Sequence, residues 1–320
     1  MARHAVVPLL LAALVAVPAT AQTPAPAPEP ATPTIRLSGY LQARETWQEQ
    51  FGLTSSINRA RLGATGAVAP PVTYRVQAEF RTGSVGNGRA SVSLTDAYVR
   101  FARSRWAVQA GQFKTPFASE YLISLADVET ADRAAVVDSL APKRDIGVMG
   151  EYAVGQVATA YAGVFNGEGT NVTANADSTA LGVARVALRP VPHLVIGVNS
   201  ARYFGDSTRY GVDATYTDDQ FVLRGEYLGQ SRDLAGAADD KGWYVVGACA
   251  FVPDVQFVSR YEEFERPGVS SQSKIRAWSL GANIRPLGPS TRFTLEYLSR
   301  KAGDPGIRRG RLLAQAQVKY

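Results

Sequence analysis

Residues 72–81 read VTYRVQAEFR. Val72, Tyr74, Val76, Ala78 and Phe80 share one parity, and Thr73, Arg75, Gln77, Glu79 and Arg81 share the other. A period of two held over ten residues is the signature of a strand with one apolar and one polar face. The pattern returns at 290–300, where Phe293, Leu295 and Tyr297 oppose Arg292, Thr294 and Glu296. It returns again at the C-terminus, where Leu312, Ala314, Ala316, Val318 and Tyr320 oppose Arg311, Gln315, Gln317 and Lys319.

Extended along the chain, this reading predicts sixteen strands: 35–47, 56–68, 72–81, 91–102, 105–113, 145–153, 157–166, 178–189, 193–203, 208–217, 220–230, 241–252, 255–265, 273–285, 290–300 and 307–320. Their lengths suit a tilted bilayer crossing, which takes about 9–11 residues. Strands of soluble sheets average about 5–6. Every second gap is short, and all 18 prolines fall outside the sixteen segments. Proline cannot donate to a ladder, so a closed sheet excludes it. The expected fold is all-β: a transmembrane antiparallel barrel of 16 strands, with short turns at one end and longer loops at the other. A soluble β-sandwich is the competing architecture, since it alternates too, but with shorter strands.

The 320 residues are 46% apolar and 19% charged, a composition of folded chains. Lysine and arginine exceed aspartate and glutamate by 34 to 28, too small an excess to argue for nucleic acid. Cys249 is the only cysteine, and His4 and His193 are the only histidines. That excludes an internal disulfide and makes a histidine-built metal site or a serine–histidine catalytic pair improbable. No enzyme activity, cofactor or metal is expected. At the N-terminus, Arg3 and His4 precede the apolar run Val6 to Val17, and Ala19-Thr20-Ala21 supplies a cleavage pattern. Residues 1–21 therefore read as an export signal, 22–34 as a Pro/Ala-rich linker, and 35–320 as the barrel domain.

In a barrel, the apolar parity meets lipid and the polar parity lines the lumen. Sorting by parity places Arg36, Arg44, Arg59, Arg61, Arg75, Arg81, Arg100, Arg185, Arg189, Arg209, Arg224, Arg260, Arg285, Arg292, Arg311 and Lys319 inside. With them go Glu79, Asp96, Asp145, Glu151, Asp213, Glu226, Glu262 and Glu296. Arg36, Arg44, Arg59, Arg61, Arg75, Arg224, Arg260 and Arg292 are the candidate anion path, because a guanidinium presents five donors suited to phosphate oxygens. Arg202, Glu263 and Arg276 break the parity, toward the external strand ends, where the penalty is small. The third external connection, 114–144, is long enough to fold inward and narrow the lumen. Its bases are Lys114, Arg133, Lys143 and Arg144; its acids are Glu120, Asp127, Glu129, Asp132 and Asp138.

The segments SGYLQAR (38–44), RARLG (59–63), DAYVRF (96–101), GQFKTPF (111–117), LAPKRDIG (140–147), AGVFNGEG (162–169), ARVALRP (184–190), LRGEYL (223–228), GWYV (242–245) and RYEEF (260–264) resemble the phosphate-selective porin O/P family of bacterial outer membranes. The resemblance implies a sixteen-stranded trimeric outer-membrane porin whose third loop enters the channel. By position, Lys114 opens that loop, Lys143 and Arg144 close it, and Arg59 and Arg61 match a basic pair on the second strand. The chain departs from the family in lacking a dense basic cluster on the loop. The expected function is passive diffusion of small anionic or neutral solutes, with preference for anions such as phosphate or polyphosphate. The alternatives are a non-selective general porin and a soluble secreted β-protein that binds sugar or a partner. Outer-membrane lipid is the expected surround, and the terminal Tyr320 suits recognition by the barrel assembly machinery.

Overall fold

The computed structural model describes residues 34–81, 91–175, 178–234, 236–267, 273–303 and 306–320. The expected export signal and all but the last residue of the expected linker lie outside these, as does the side chain of Arg81. Sixteen strands close into one antiparallel barrel. In chain order they are β1 (Thr34–Gln48), β2 (Gly52–Ala69), β3 (Val72–Arg81), β4 (Ser91–Arg103), β5 (Trp106–Lys114), β6 (Arg144–Val154), β7 (Ala158–Phe165), β8 (Leu181–Val191), β9 (Leu194–Tyr203), β10 (Ser207–Thr217), β11 (Phe221–Arg232), β12 (Asp240–Val252), β13 (Val255–Glu265), β14 (Lys274–Ile284), β16 (Thr291–Gly303) and β17 (Gly306–Lys319). A four-residue extended stretch, β15 (Pro286–Pro289), belongs to the turn between β14 and β16 and not to the barrel. Two short helices, α1 (Ser119–Leu122) and α2 (Ala135–Leu140), lie in the connection between β5 and β6.

Closure falls between the first strand and the last. Tyr40 pairs with Lys319 and Gln48 with Arg311, and Gly39 and Tyr320 exchange two backbone hydrogen bonds of 3.1 Å. The sheet therefore has no open edge, which bilayer hydrocarbon would not tolerate. Every expected segment is a barrel strand, but several run longer. β2 starts four residues before the expected position, and β8 continues through Pro190. Pro190 corrects the expectation that every proline lies outside the strands. It sits where the β8–β9 register slips between Leu188 and Val191, so no ladder donor is missed there. Because the strands extend, three connections at the long-loop end (49–51, 204–206 and 304–305) are as short as the turns.

The two faces of β3 differ as its alternation requires. Val76 and Phe80 are 48% and 42% exposed, whereas Gln77 and Glu79 are 6% and 1% exposed. Apolar groups outside and polar groups inside invert the order of a water-soluble protein; hydrocarbon is the surround that makes this stable. Aromatic side chains on the outer face pair near the long-loop end: Trp243 with Tyr261 and Trp278 with Tyr297, each at 5.5 Å between ring centroids. Near the other end Phe221 meets Phe251 at 5.6 Å and Phe101 meets Trp106 at 5.4 Å. Arg202, Glu263 and Arg276 do lie at the long-loop end, where Arg202 binds Asp233 at 2.6 Å and Arg276 approaches Glu263 at 3.4 Å.

The interior is less uniformly polar than parity suggested. Tyr244, Val246 and Ala248 of β12, Leu181 and Val183 of β8, and Phe264 of β13 point inward and are buried. They pack with Phe117, Val136, Val137 and Leu140 of the β5–β6 connection in one apolar cluster. Both parities of WYVVGACA (243–250) are apolar, so its sequence cannot say which side carries a protein partner.

Candidate functional site

The connection 115–143 folds into the barrel and is bonded to one side of its wall. Gly111 allows the entry. At φ 124° and with the Ala97 carbonyl against the place a Cβ would take, this position accepts only glycine at low cost. Ala118, at φ 58°, turns the chain again, and its N–H donates to Asn199 Oδ1 at 3.3 Å. The segment then meets Glu226 of β11. That carboxylate accepts from Ser119 N (3.0 Å), Ser119 Oγ (2.9 Å), Glu120 N (2.5 Å) and the Tyr244 hydroxyl (2.7 Å). Residues 126–135 run on along the wall. Glu296 accepts from Ala131 N and Glu262 from Ala135 N, each at 2.8 Å.

The loop acids meet wall bases. Glu129 takes both terminal nitrogens of Arg224, at 2.7 and 3.1 Å. Asp132 bridges Arg44 and Arg311, each at 2.9 Å. Asp127 binds Lys319 at 2.6 Å. Burial opposes the charge on Asp132, but the two guanidiniums outweigh it and hold the carboxyl below the usual aspartate range. Arg260 donates to Thr130 Oγ1 (2.9 Å) and Asp132 O (2.7 Å), and Arg292 donates to Val128 O (2.8 Å). Four members of the expected anion path, Arg44, Arg224, Arg260 and Arg292, are thus buried under the loop and anchor it. An inward parity does not reveal that a distant loop will cover the side chain. Arg133 is also internal to the loop. It donates to the carbonyls of Glu120, Tyr121 and Ile123 and stacks at 4.8 Å over the Tyr121 ring. Lys143 is exposed, and Arg36 is exposed at the start of β1.

On the opposite side, between the loop and β2–β6, a cavity of about 290 Å³ remains. Its lining includes Arg61, Arg75, Lys114, Arg144, Asp96, Gln77, Gln109, Leu122 and Ser124. Arg59 and Arg61 share Glu79, with Arg59 at 3.1 Å. Arg144 and Arg75 share Asp96, at 2.7 and 3.4 Å. Two carboxylates thus serve four guanidiniums. Lys114 adds an amine beside them, donating to the Leu122 and Ile123 carbonyls at 3.0 and 2.9 Å. Arg59 and Arg75 keep 23% and 28% of their side-chain surface, unlike the anchoring arginines.

Two bulges produce this density of inward groups. Across β1–β2 the register passes from Gln42↔Arg59 to Ala43↔Ile57, so Asn58 has no opposite number and points inward beside Arg59. Across β3–β4 it passes from Gln77↔Asp96 to Ala78↔Leu94, which turns Thr95 and Asp96 inward together. Simple alternation missed Asn58 and Thr95. It also passed over Arg300 and Arg309, which pair in register on the inward parity of β16 and β17 without an acid partner among the described residues. Extending the parity of 290–300 and 307–320 by one step finds both.

Glu120 makes the docked loop sensitive to pH. Fully buried, it accepts from Ala134 N at 2.9 Å. Burial, the largest influence, pushes its carboxyl up to about 7 from 4.5, against the pull of Arg260. The docked state thus favours the protonated form. Its advantage is complete below the unfolded value and is lost as pH rises through about 7. Corrected hydrogen exchange of amides 118–123 should quicken between about pH 4.5 and about pH 7, and Glu120→Gln should flatten that rise. An unchanged pH profile in Glu120→Gln would exonerate this carboxyl.

Residues 44–190 match the family model described as phosphate-selective porin O and P. A search of curated proteins returned no match. Among solved structures, the outer membrane channel DcaP of Acinetobacter baumannii is similar at 14% identity and TM-score 0.68, over 90% of this chain and 97% of that one. The anion-selective porin of Comamonas acidovorans is similar at 16% identity and TM-score 0.68, over 90% and 100%. The trimer form of OmpT of Vibrio cholerae follows at 13% identity and TM-score 0.66, over 91% and 100%. At such identities the structures establish the fold alone. Joined to the family match that spans β2 to β7 and the inward loop, they show a chain with the barrel fold of these outer-membrane channels that resembles the phosphate-selective porin O and P family over residues 44–190.

Proposed function

We propose that the protein is a passive outer-membrane channel for small hydrophilic solutes that prefers anions, and that the cavity between the loop and β2–β6 is its constriction. The observation that carries this is the excess of guanidiniums there: Arg61, Arg75 and Arg144 line the cavity with the single carboxylate Asp96, and Arg59 stands beside it, sharing Glu79 with Arg61. Of the loop acids, Glu129 and Asp132 are engaged by wall arginines and Asp127 by Lys319, away from this cavity. In a low-dielectric wall, the remaining positive groups focus their field along the path. The solute class is small anions, phosphate among them. The resemblance to a trimer supports three barrels per assembly, and the reading of residues 1–21 as an export signal supports delivery to the envelope.

Planar-bilayer recording of the purified protein tests the reading. A potassium chloride gradient should give a reversal potential of the sign set by chloride. Cation preference at neutral pH would remove the anion assignment, and absence of conductance would remove the channel itself. Replacing chloride by phosphate separates phosphate preference from general anion passage.

A further inference from the structure

A second basic cluster lies on the outside of the barrel, at its long-loop end. In register across three neighbouring strands, Arg276 of β14 stands opposite Lys301 of β16, and Lys301 opposite Arg308 of β17. They share the outward parity of Trp278, Tyr297 and Leu312, whose side chains are exposed toward hydrocarbon. Like charges directly opposite on a ladder destabilise it, and a base on the lipid-facing parity is tolerated only near the interface.

Nearby acids do not neutralise the row. Glu263 faces Arg276 at 3.4 Å, while Glu265 is held by Lys274 at 2.7 Å. Among the described residues Arg308 has only the Ser299 hydroxyl, at 2.9 Å. Lys301 has no hydrogen bond or ion pair among the described residues. Immediately beneath the row lies the Trp278–Tyr297 pair, the kind of aromatic group that marks headgroup depth. Three bases thus sit at the level of lipid headgroups, facing them, with a counter-charge for one.

We propose that Arg276, Lys301 and Arg308 bind the phosphate groups of a phosphorylated lipid in the leaflet at the long-loop end. Neighbouring strands are about 4.8 Å apart, so the row spans about 10 Å, enough for phosphates carried on one headgroup. Guanidiniums at its two ends offer paired donors to phosphate oxygens, and the central ammonium supplies a point charge. Acyl chains would then lie along the apolar wall below. The inference rests on the channel reading only for which leaflet this end occupies.

The test uses the full purified protein in detergent, with bound lipid counted by native mass spectrometry. The probes are a bisphosphorylated acyl-glucosamine lipid, the same lipid after phosphatase treatment, and inorganic phosphate. The parent should bind the phosphorylated lipid about tenfold more tightly than the treated one, and Lys301→Gln/Arg308→Gln should lose about that factor. The double variant should keep the parent's conductance and ion preference, since neither residue faces the lumen. Equal binding of the dephosphorylated lipid, or undiminished binding by the variant, would overturn the proposal. So would displacement of the lipid by inorganic phosphate at equal phosphate concentration, which would make this a free-anion site. Loss of conductance in parent and variant alike would instead tell against the channel reading.

Discussion

Glu226→Ala is expected to free the first half of the inward loop and raise single-channel conductance. The carboxylate serves two backbone N–H groups, the Ser119 hydroxyl and the Tyr244 hydroxyl at once. Removing it strands these donors where water does not replace the bonds. Each unsatisfied buried group costs about 1–3 kcal/mol, so undocking of α1 gains several kcal/mol. The helix has only four residues and no side-chain cap, so nothing local preserves its position. The barrel ladder itself does not depend on this contact. Conductance should therefore rise and grow noisier, while heat-modified mobility in detergent stays that of a folded barrel. A variant with parental conductance and parental exchange at 118–123 would show that Glu226 does not hold the loop.

Arg59→Ala/Arg61→Ala should weaken anion preference by about tenfold in permeability ratio. Two charges some 6 Å from a permeating ion in a wet lumen contribute about 0.7 kcal/mol each. The effect is compounded because Glu79, which no longer meets these two guanidiniums, stays at the wall as a negative group. The matched control is Arg224→Gln/Arg260→Gln, which removes an equal charge from beneath the loop. Reversal potentials in a salt gradient should shift strongly for the first variant and little for the second. The opposite order would relocate the path to the side we assign to anchoring. Raised salt should shrink the shift, as screening demands.

The amino-acid sequence by itself determined the barrel. The alternation in VTYRVQAEFR and its fifteen counterparts sets which side chains face out, and a sheet whose outer face is apolar save near the long-loop end has to close on itself in a membrane. Strand count, inward parity and the long third connection were legible because each is a local property, a period or a length. The basic character of the Arg59–Arg61 pair was legible for the same reason.

Only the tertiary structure decided which inward arginines lie beneath the loop. Arg44 meets Asp132 across 88 positions, and Arg292 meets Val128 across 164. No local period encodes such pairings, so bases of identical parity part into loop anchors and channel lining. The bulges at Asn58 and Thr95 are likewise relations between two strands, invisible within either one. They turn consecutive residues inward and bring Asp96 between Arg75 and Arg144. Loop docking then places the acids of 127–132 against the wall and leaves the opposite side positive. Charge sums along the chain could not reveal this, because distance, and not composition, decides which charges cancel.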